Sequence, residues 1–181
     1  MPRYVPDTRP KMNKNRTGFT LIELMIVLVV VGIGMSVAVP NFQGMIVRNR
    51  IIAQTNDVIL AVNLARGEAA RTGGLVSIAT VSTTSDYTAG WCIVLGTPAT
   101  CAAGNVVRRF DALQGETTIV DVDAASGIQF NSLGGLSASG PQTHNIDLCY
   151  PNYQGRRIKV TLIGRVKSYT DVPTGDTASS C

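Results

Sequence analysis

The sequence predicts an α+β fold, in which a long N-terminal helix packs on a C-terminal antiparallel β domain. Three observations predict it: an apolar run over residues 19–39, an amphipathic stretch that continues to residue 73, and a remainder in which short β-type segments alternate with turn signals. These boundaries divide the chain into five segments: 1–18, 19–40, 41–73, 74–171 and 172–181.

The apolar run is long enough to cross a membrane, and it carries a single acid. Its 21 residues would rise about 31 Å as a helix, which is the thickness of a bilayer core. Glu23 lies four residues after Phe19, and a carboxylate costs on the order of 3 kcal/mol at mid-membrane and less near an end. We therefore expect Glu23 to have a partner elsewhere.

The positive charge of the chain is concentrated before this run. The whole sequence has 16 Lys and Arg against 12 Asp and Glu, but residues 1–18 hold five of the basic residues and one of the acids. The remainder has 11 of each and is formally neutral. The basic residues of this N-terminal segment are better explained by membrane topology, because Lys and Arg keep the N-terminal end of a membrane helix in the cytoplasm. Global charge therefore does not argue for nucleic acid.

The residues around the start of the run resemble a type IV prepilin. Gly18 matches the last leader residue, Phe19 the first mature residue, and Glu23 the acid five residues into the mature chain. The resemblance implies that a prepilin peptidase cleaves after Gly18 and N-methylates Phe19. It also implies that Glu23 pairs with the N-terminal amine of a neighbouring subunit. An ordinary signal peptide fits less well, because its apolar core is usually about 7–15 residues long and precedes an Ala-x-Ala site. A plain single-pass anchor leaves Glu23 unexplained.

The leader, residues 1–18, is long for this type and contains an internal methionine, Met12. A start at Met12 would give a seven-residue leader of the usual compact kind. We therefore expect that translation begins at Met12.

Beyond the apolar run, the pattern changes from helical to extended. Pro40 would break a soluble helix but more often kinks a membrane helix, and an apolar face with Ile52, Val58 and Val62 predicts that the helix resumes to about Thr72. Gly73 and the glycine after it end the helix. The predicted strands are 75–81, 91–95, 106–110, 117–122, 128–131, 145–150, 156–163 and 166–169.

Four segments of the soluble part resemble the type II secretion protein H group, which includes the minor pilins FimT and FimU. They are 64–76, Gly90-Trp91, 128–134 and 157–165, and they occur in the order that this group shows. The resemblance implies a pilin fold and a low-abundance subunit of a type IV pilus, with a type II secretion pseudopilin as the alternative. It implies a single-pass bacterial inner-membrane protein with a periplasmic C-terminal domain, whose partners are other major and minor pilins or pseudopilins.

The four cysteines lie on the far side of the apolar run, where an oxidising compartment favours disulfides. They allow three pairings. We favour Cys92–Cys101, which closes a short loop between neighbouring strands, and Cys149–Cys181, which ties residues 172–181 to a late strand.

Nothing in the sequence indicates catalysis, a metal or a cofactor. His144 is the only histidine, no Cys-x-x-Cys pair occurs, and no nucleophile stands at a spacing that suggests an activating base. We expect a structural or solvent-exposed His144 and a core position beside a disulfide for Trp91. A membrane-anchored enzyme is therefore disfavoured.

A local basic segment raises the possibility of DNA binding. Some FimT-type proteins bind DNA through a Gly-Arg-x-Arg motif, which Gly164-Arg165-Val166-Lys167 resembles with lysine in the last position. Lysine keeps the charge but lacks the guanidinium fork. The candidate DNA-binding residues are Arg156, Arg157, Lys159, Arg165 and Lys167. The alternative is a solvated strand edge whose positive charges discourage sheet pairing.

Overall fold

The computed structural model describes residues 18–81, 86–97, 100–101, 104–123, 127–171 and 181. Most of the leader, including Met12, and residues 172–180 of the predicted tail lie outside the described residues. The chain divides after Gln43 into two compact units.

The helix α1 spans Leu21–Thr72 and continues through Pro40 without interruption. Thr20 precedes its first turn, and the Leu24 amide donates to the Thr20 carbonyl at 3.2 Å. At its end, Gly73 has a φ of 66° and donates its amide hydrogen to the Ala69 carbonyl at 3.0 Å. Glycine adopts this left-handed conformation without a Cβ penalty, which explains the predicted helix end.

In the first unit, the apolar side chains of α1 are exposed. Phe19 is 83% exposed, and every described side chain between it and Val39 is likewise open to solvent. The most apolar part of α1 has a mean hydropathy of 2.6, and α1 is long and apolar enough to cross a membrane. No described residue of this unit therefore covers the apolar segment.

The second unit contains two antiparallel four-stranded sheets. In sheet order, the first is formed by β3 (Val106–Phe110), β2 (Trp91–Leu95), β1 (Val76–Thr80) and β5 (Ile128–Phe130). The second is formed by β4 (Thr118–Asp121), β6 (Thr143–Tyr150), β7 (Tyr153–Thr161) and β8 (Val166–Tyr169). All eight strands correspond to predicted ones.

One hydrophobic core joins both sheets to the second half of α1. The helix contributes small and β-branched residues at helical spacing, which are Val58, Ala61, Val62, Ala65 and Ala69. Each sheet contributes alternate residues of its inner face, such as Ile93 and Phe130 from the first and Leu148 and Ile158 from the second. Ile52, predicted on the apolar face, is 41% exposed, whereas Ile51 is buried.

The strand bounds differ most at β7, which was predicted to span 156–163. It begins earlier because β6 and β7 pair down to Tyr150 and Tyr153. It ends at Thr161 because the next residues form a turn in which Gly164 donates to the Thr161 carbonyl at 2.7 Å. Leu162 and Ile163 extend the apolar run in sequence but lie exposed in this turn.

The cysteines form two disulfides, Cys92–Cys101 and Cys149–Cys181. The first belongs to a small second cluster with Ala79 and Val94. This cluster lies on the face of the first sheet opposite to the main core, because Cys92 and Val94 alternate with the core residues Trp91 and Ile93. The second disulfide joins β6 to Cys181 over a separation of 32 residues.

We predict that replacing the second disulfide by Cys149→Ser and Cys181→Ser lowers the free energy of unfolding by about 3–4 kcal/mol, because the unfolded chain regains the freedom of a long loop. Urea unfolding of the full chain in detergent, followed through the fluorescence of Trp91, measures the loss. Peptide mapping of the unchanged protein without reductant checks which cysteines are paired. A peptide that links Cys92 to Cys149 would contradict the two disulfides described here.

Candidate functional site

The predicted cleavage junction lies immediately before α1. Gly18 and Phe19 are exposed and precede the helix, which begins at Leu21. The peptide bond between them therefore lies outside helical structure.

Glu23 lies in the first turn of α1, where it forms a capping box with Thr20. The Glu23 amide donates to Thr20 Oγ1 at 3.3 Å, and the Thr20 amide faces Glu23 Oε2 at 3.5 Å. This arrangement satisfies amide groups that lack partners at a helix start. Thr20 was not among the predicted site residues, although Thr-x-x-Glu is the capping-box pattern.

Arg157 does not belong to a DNA-binding surface, contrary to the sequence prediction. Its Nε donates to Asp147 Oδ1 at 2.6 Å and its Nη2 to Asp147 Oδ2 at 2.7 Å. The two side chains are only 2% and 1% exposed. Arg157 and Asp147 lie directly opposite each other on β7 and β6, so the strand register creates this two-pronged ion pair. A phosphate group cannot reach the buried guanidinium.

Arg156 is separated from the remaining predicted residues by the alternation of β7. Side chains of successive strand residues point to opposite faces, and Arg156 lies on the same side as the core residues Ile158 and Val160. It lines a groove together with Arg48 and Ile52 of α1. The predicted basic segment is therefore divided between the two faces of the sheet.

Three of the predicted residues remain on one face of the second sheet. Lys159 and Lys167 are directly opposite each other on β7 and β8. They lie on the face of the sheet opposite to the core residues Ile158 and Val160, here called the outer face, which also carries the Asp147–Arg157 pair. Arg165 lies one residue before β8 and two residues before Lys167. Its position therefore falls on the same face of the extended chain as Lys167. Arg165 and Lys167 are exposed, so they can contact a partner.

Gly164, the first residue of the motif-like segment, has a structural role. Its φ is 74°, and a Cβ atom there would collide with the Gly134 carbonyl. The side chain of Arg66 from α1 lies against both glycines, and its Nη1 reaches the Gly164 carbonyl at 3.5 Å. The turn that presents Arg165 is thus packed against the helix.

His144 is buried and paired with Asp121. Its Nδ1 lies 2.9 Å from Asp121 Oδ2, and the two side chains are 2% and 0% exposed. Asp121 also affects a second buried group. Burial raises the pKa of the Tyr87 hydroxyl, and the negative charge of Asp121 raises that pKa further. Among the residues that the structure describes, no group of three or more His, Cys, Asp or Glu side chains is arranged to hold a metal ion.

A groove that was not predicted from the sequence lies between α1 and the edge strand β3. Its volume is about 580 Å³. It is lined by Trp91, by residues 108–114, and by the α1 residues Asn49, Arg50, Ala53, Gln54 and Asp57. Trp91 stacks on Phe110 with ring centroids 5.4 Å apart, and the Arg108 guanidinium lies 5.1 Å from the centre of the Phe110 ring. Trp91 is thus a core residue, as expected, but it also contributes to the groove.

An exposed apolar helix with one acid near its start, joined to an antiparallel β domain, defines the chain as a pilin-like subunit. A model of the type II transport protein GspH family matches residues 54–164, and a model of the prokaryotic N-terminal methylation motif matches residues 13–39. The chain belongs to the GspH family of minor pilins and pseudopilins.

Solved structures with the same fold include the type IV minor pilin FimU of Pseudomonas aeruginosa strain PAO1 in two crystal forms. The P21 form is 20% identical with a TM-score of 0.58, over 70% of this chain and 95% of FimU. The P65 form is 21% identical with a TM-score of 0.53, over 66% of this chain and 94% of FimU. These similarities confirm the pilin fold.

We predict that Arg157→Ala lowers the free energy of unfolding by about 3–5 kcal/mol, because it removes two hydrogen bonds and the opposite charge of Arg157 from the buried Asp147 carboxylate. Arg165→Ala removes the same charge from an exposed position and is the matched control, with an expected change within about 0.5 kcal/mol. Urea unfolding of the full chain in detergent measures both variants. Equal stabilities would show that Arg157 is not needed for the fold.

Proposed function

We propose that this protein is a minor pilin that is cleaved between Gly18 and Phe19 and then enters or primes a type IV pilus. Before assembly it is a single-pass protein of the bacterial inner membrane, with its C-terminal domain in the periplasm. The observation that carries the proposal is the exposed apolar start of α1 with Glu23 in its first turn. This role is structural and requires no catalysis by the chain.

The apolar segment requires an apolar environment in both of its states. Lipid covers it in the membrane, and the corresponding helices of other subunits would cover it in a filament. Glu23 is costly in lipid, and pairing with the N-terminal amine of a neighbouring subunit offsets that cost only on assembly. The acid thereby favours the filament over the membrane.

The choice of a type IV pilus is supported by the likeness to FimU, a type IV minor pilin. The family description refers to type II transport, so the alternative is the corresponding pseudopilin of a type II secretion system. Deletion of the gene separates the two. Loss of surface pili and twitching supports the pilus, whereas retention of exported proteins in the periplasm supports secretion.

We predict that Glu23→Gln leaves leader cleavage intact but lowers recovery of the protein in sheared filaments about tenfold or more, since each 1.4 kcal/mol of lost pairing is a factor of about ten. Immunoblots of sheared and membrane fractions measure the distribution. Glu116→Gln, which neutralises an exposed acid of the β domain, is the control. Normal recovery of the Glu23 variant would contradict the assembly role of this acid.

DNA capture by the assembled subunit is a second candidate function. It is supported by the position of Lys167 directly opposite Lys159, with Arg165 one residue before the same strand. Arg165 and Lys167 are exposed there, so both can contact a phosphate backbone. Arg157 takes no part in this surface, and Arg156 lies on the other side of the sheet.

We predict that replacing Arg165 and Lys167 by alanine weakens DNA binding and reduces the slope of log K against log salt by about 2, one for each lost phosphate contact. Fluorescence anisotropy of labelled duplex DNA across a salt series measures the slope. Arg48→Ala with Arg156→Ala removes the same charge from the opposite side and should leave the slope unchanged. If only this control variant weakens binding, the DNA site lies beside α1 instead.

A further inference from the structure

The groove between α1 and β3 contains a buried polar atom that no described residue satisfies. Gln54 is only 6% exposed. Its Nε2 donates to the Gln114 carbonyl at 3.1 Å, but its Oε1 has no hydrogen-bond partner among the described residues. An unpaired buried acceptor is unfavourable. Because this oxygen is enclosed, a bound donor would satisfy it once the Gln54 side chain turns towards the groove.

Side chains of both charges line the groove. They are Arg50, Arg108 and Arg109 together with Asp57 and Asp111, and the Arg109 guanidinium already donates to the Cys101 carbonyl at 2.7 Å. Among the described residues, none of the other four has an ion-pair partner within 4 Å. The two aspartates oppose the binding of a polyanion such as DNA. A polypeptide, which carries both signs together with backbone donors and acceptors, matches this arrangement.

The apolar parts of the groove also resemble a protein-binding surface. Trp91 supports Phe110 from the core, and Phe110 in turn supports the Arg108 guanidinium, so these side chains are held in place before a partner arrives. Aromatic residues and arginine are enriched at the cores of protein interfaces, and arginine is also enriched among binding hot spots.

The backbone beside the groove is available as well. In the order β3-β2-β1-β5, strand β3 pairs with one strand, β2, among those that the structure describes. An edge strand presents unpaired amide and carbonyl groups, to which an extended segment of another chain can add as a further strand. The groove would then receive a side chain of the added segment.

We propose that β3 and its groove bind an extended segment from the β domain of a neighbouring prepilin-type subunit. The segment adds along β3 and carries both an acidic and a basic side chain, which pair with Arg108 and Asp111. This inference rests on the proposed function, because it takes the partner from the same filament. It identifies a contact between β domains that is separate from the stacking of the apolar helices.

Photo-crosslinking in cells of the native host tests this contact with the full chain. A benzophenone amino acid replaces Ala112, which is exposed and lines the groove. The matched control position is Ser168, an exposed residue on β8, which is the edge strand of the other sheet. A second probe, at Val27 in the apolar segment, reports whether the chain reaches other subunits at all.

The expected result is a crosslink from position 112 to an extended segment of another prepilin-type subunit, identified by mass spectrometry. Arg108→Glu should lower its yield about tenfold, whereas Arg165→Glu should leave it unchanged. Crosslinks at 27 without any at 112 would overturn the groove proposal alone. The absence of subunit crosslinks at both positions would overturn the proposed function with it. A crosslink from 112 to DNA would also overturn the groove proposal.

Discussion

The exposed apolar surface at the start of α1 is the constraint on which the rest of the molecule depends. From Phe19 to Val39 the side chains face outwards, and no described residue of that unit covers them. The hydrophobic effect therefore drives this segment into lipid or against other helices. In the proposed assembly, the N-terminal amine of a neighbouring subunit would pair with Glu23 and make the filament a better environment for this carboxylate than lipid. Burial of apolar area would then supply the attraction between helices, and Glu23 would favour the filament over the membrane.

In the second unit, the Asp147–Arg157 pair determines which basic residues remain available. The register between β6 and β7 places the two residues opposite each other and aligns the guanidinium with both carboxylate oxygens. A buried pair of this kind adds little net stability compared with apolar residues, but loss of one partner is costly. The pair therefore holds β6 and β7 in this register and keeps the Arg157 side chain buried. Lys167 on β8, and Arg165 just before it, remain exposed.

The features that the sequence predicted well are local, and those it did not predict arise from pairing between distant residues. The helix end at Thr72 and the eight strands follow from spacing, turn glycines and apolar alternation within short windows. The role of Arg157 depends on Asp147, ten residues away across a hairpin whose register no single segment reveals. Likewise, Phe110 was not expected to stack on Trp91, because that contact requires β2 and β3 to pair. A run of five positive charges appears in sequence as one patch, whereas strand alternation and burial divide it in three.

The two sheet edges differ in charge, and this difference separates their possible partners. The outer face near β8 presents Arg165 and Lys167, so its attraction for a polyanion should fall steeply as salt screens it. The groove at β3 has three arginines and two aspartates, and its binding should depend on fit and hydrogen bonding more than on ionic strength. Since the chain after residue 18 is formally neutral, neither property follows from total charge. A subunit that uses β3 for a protein neighbour would leave β8 free, so assembly and capture of a polyanion could occur on the same domain without competing for one surface.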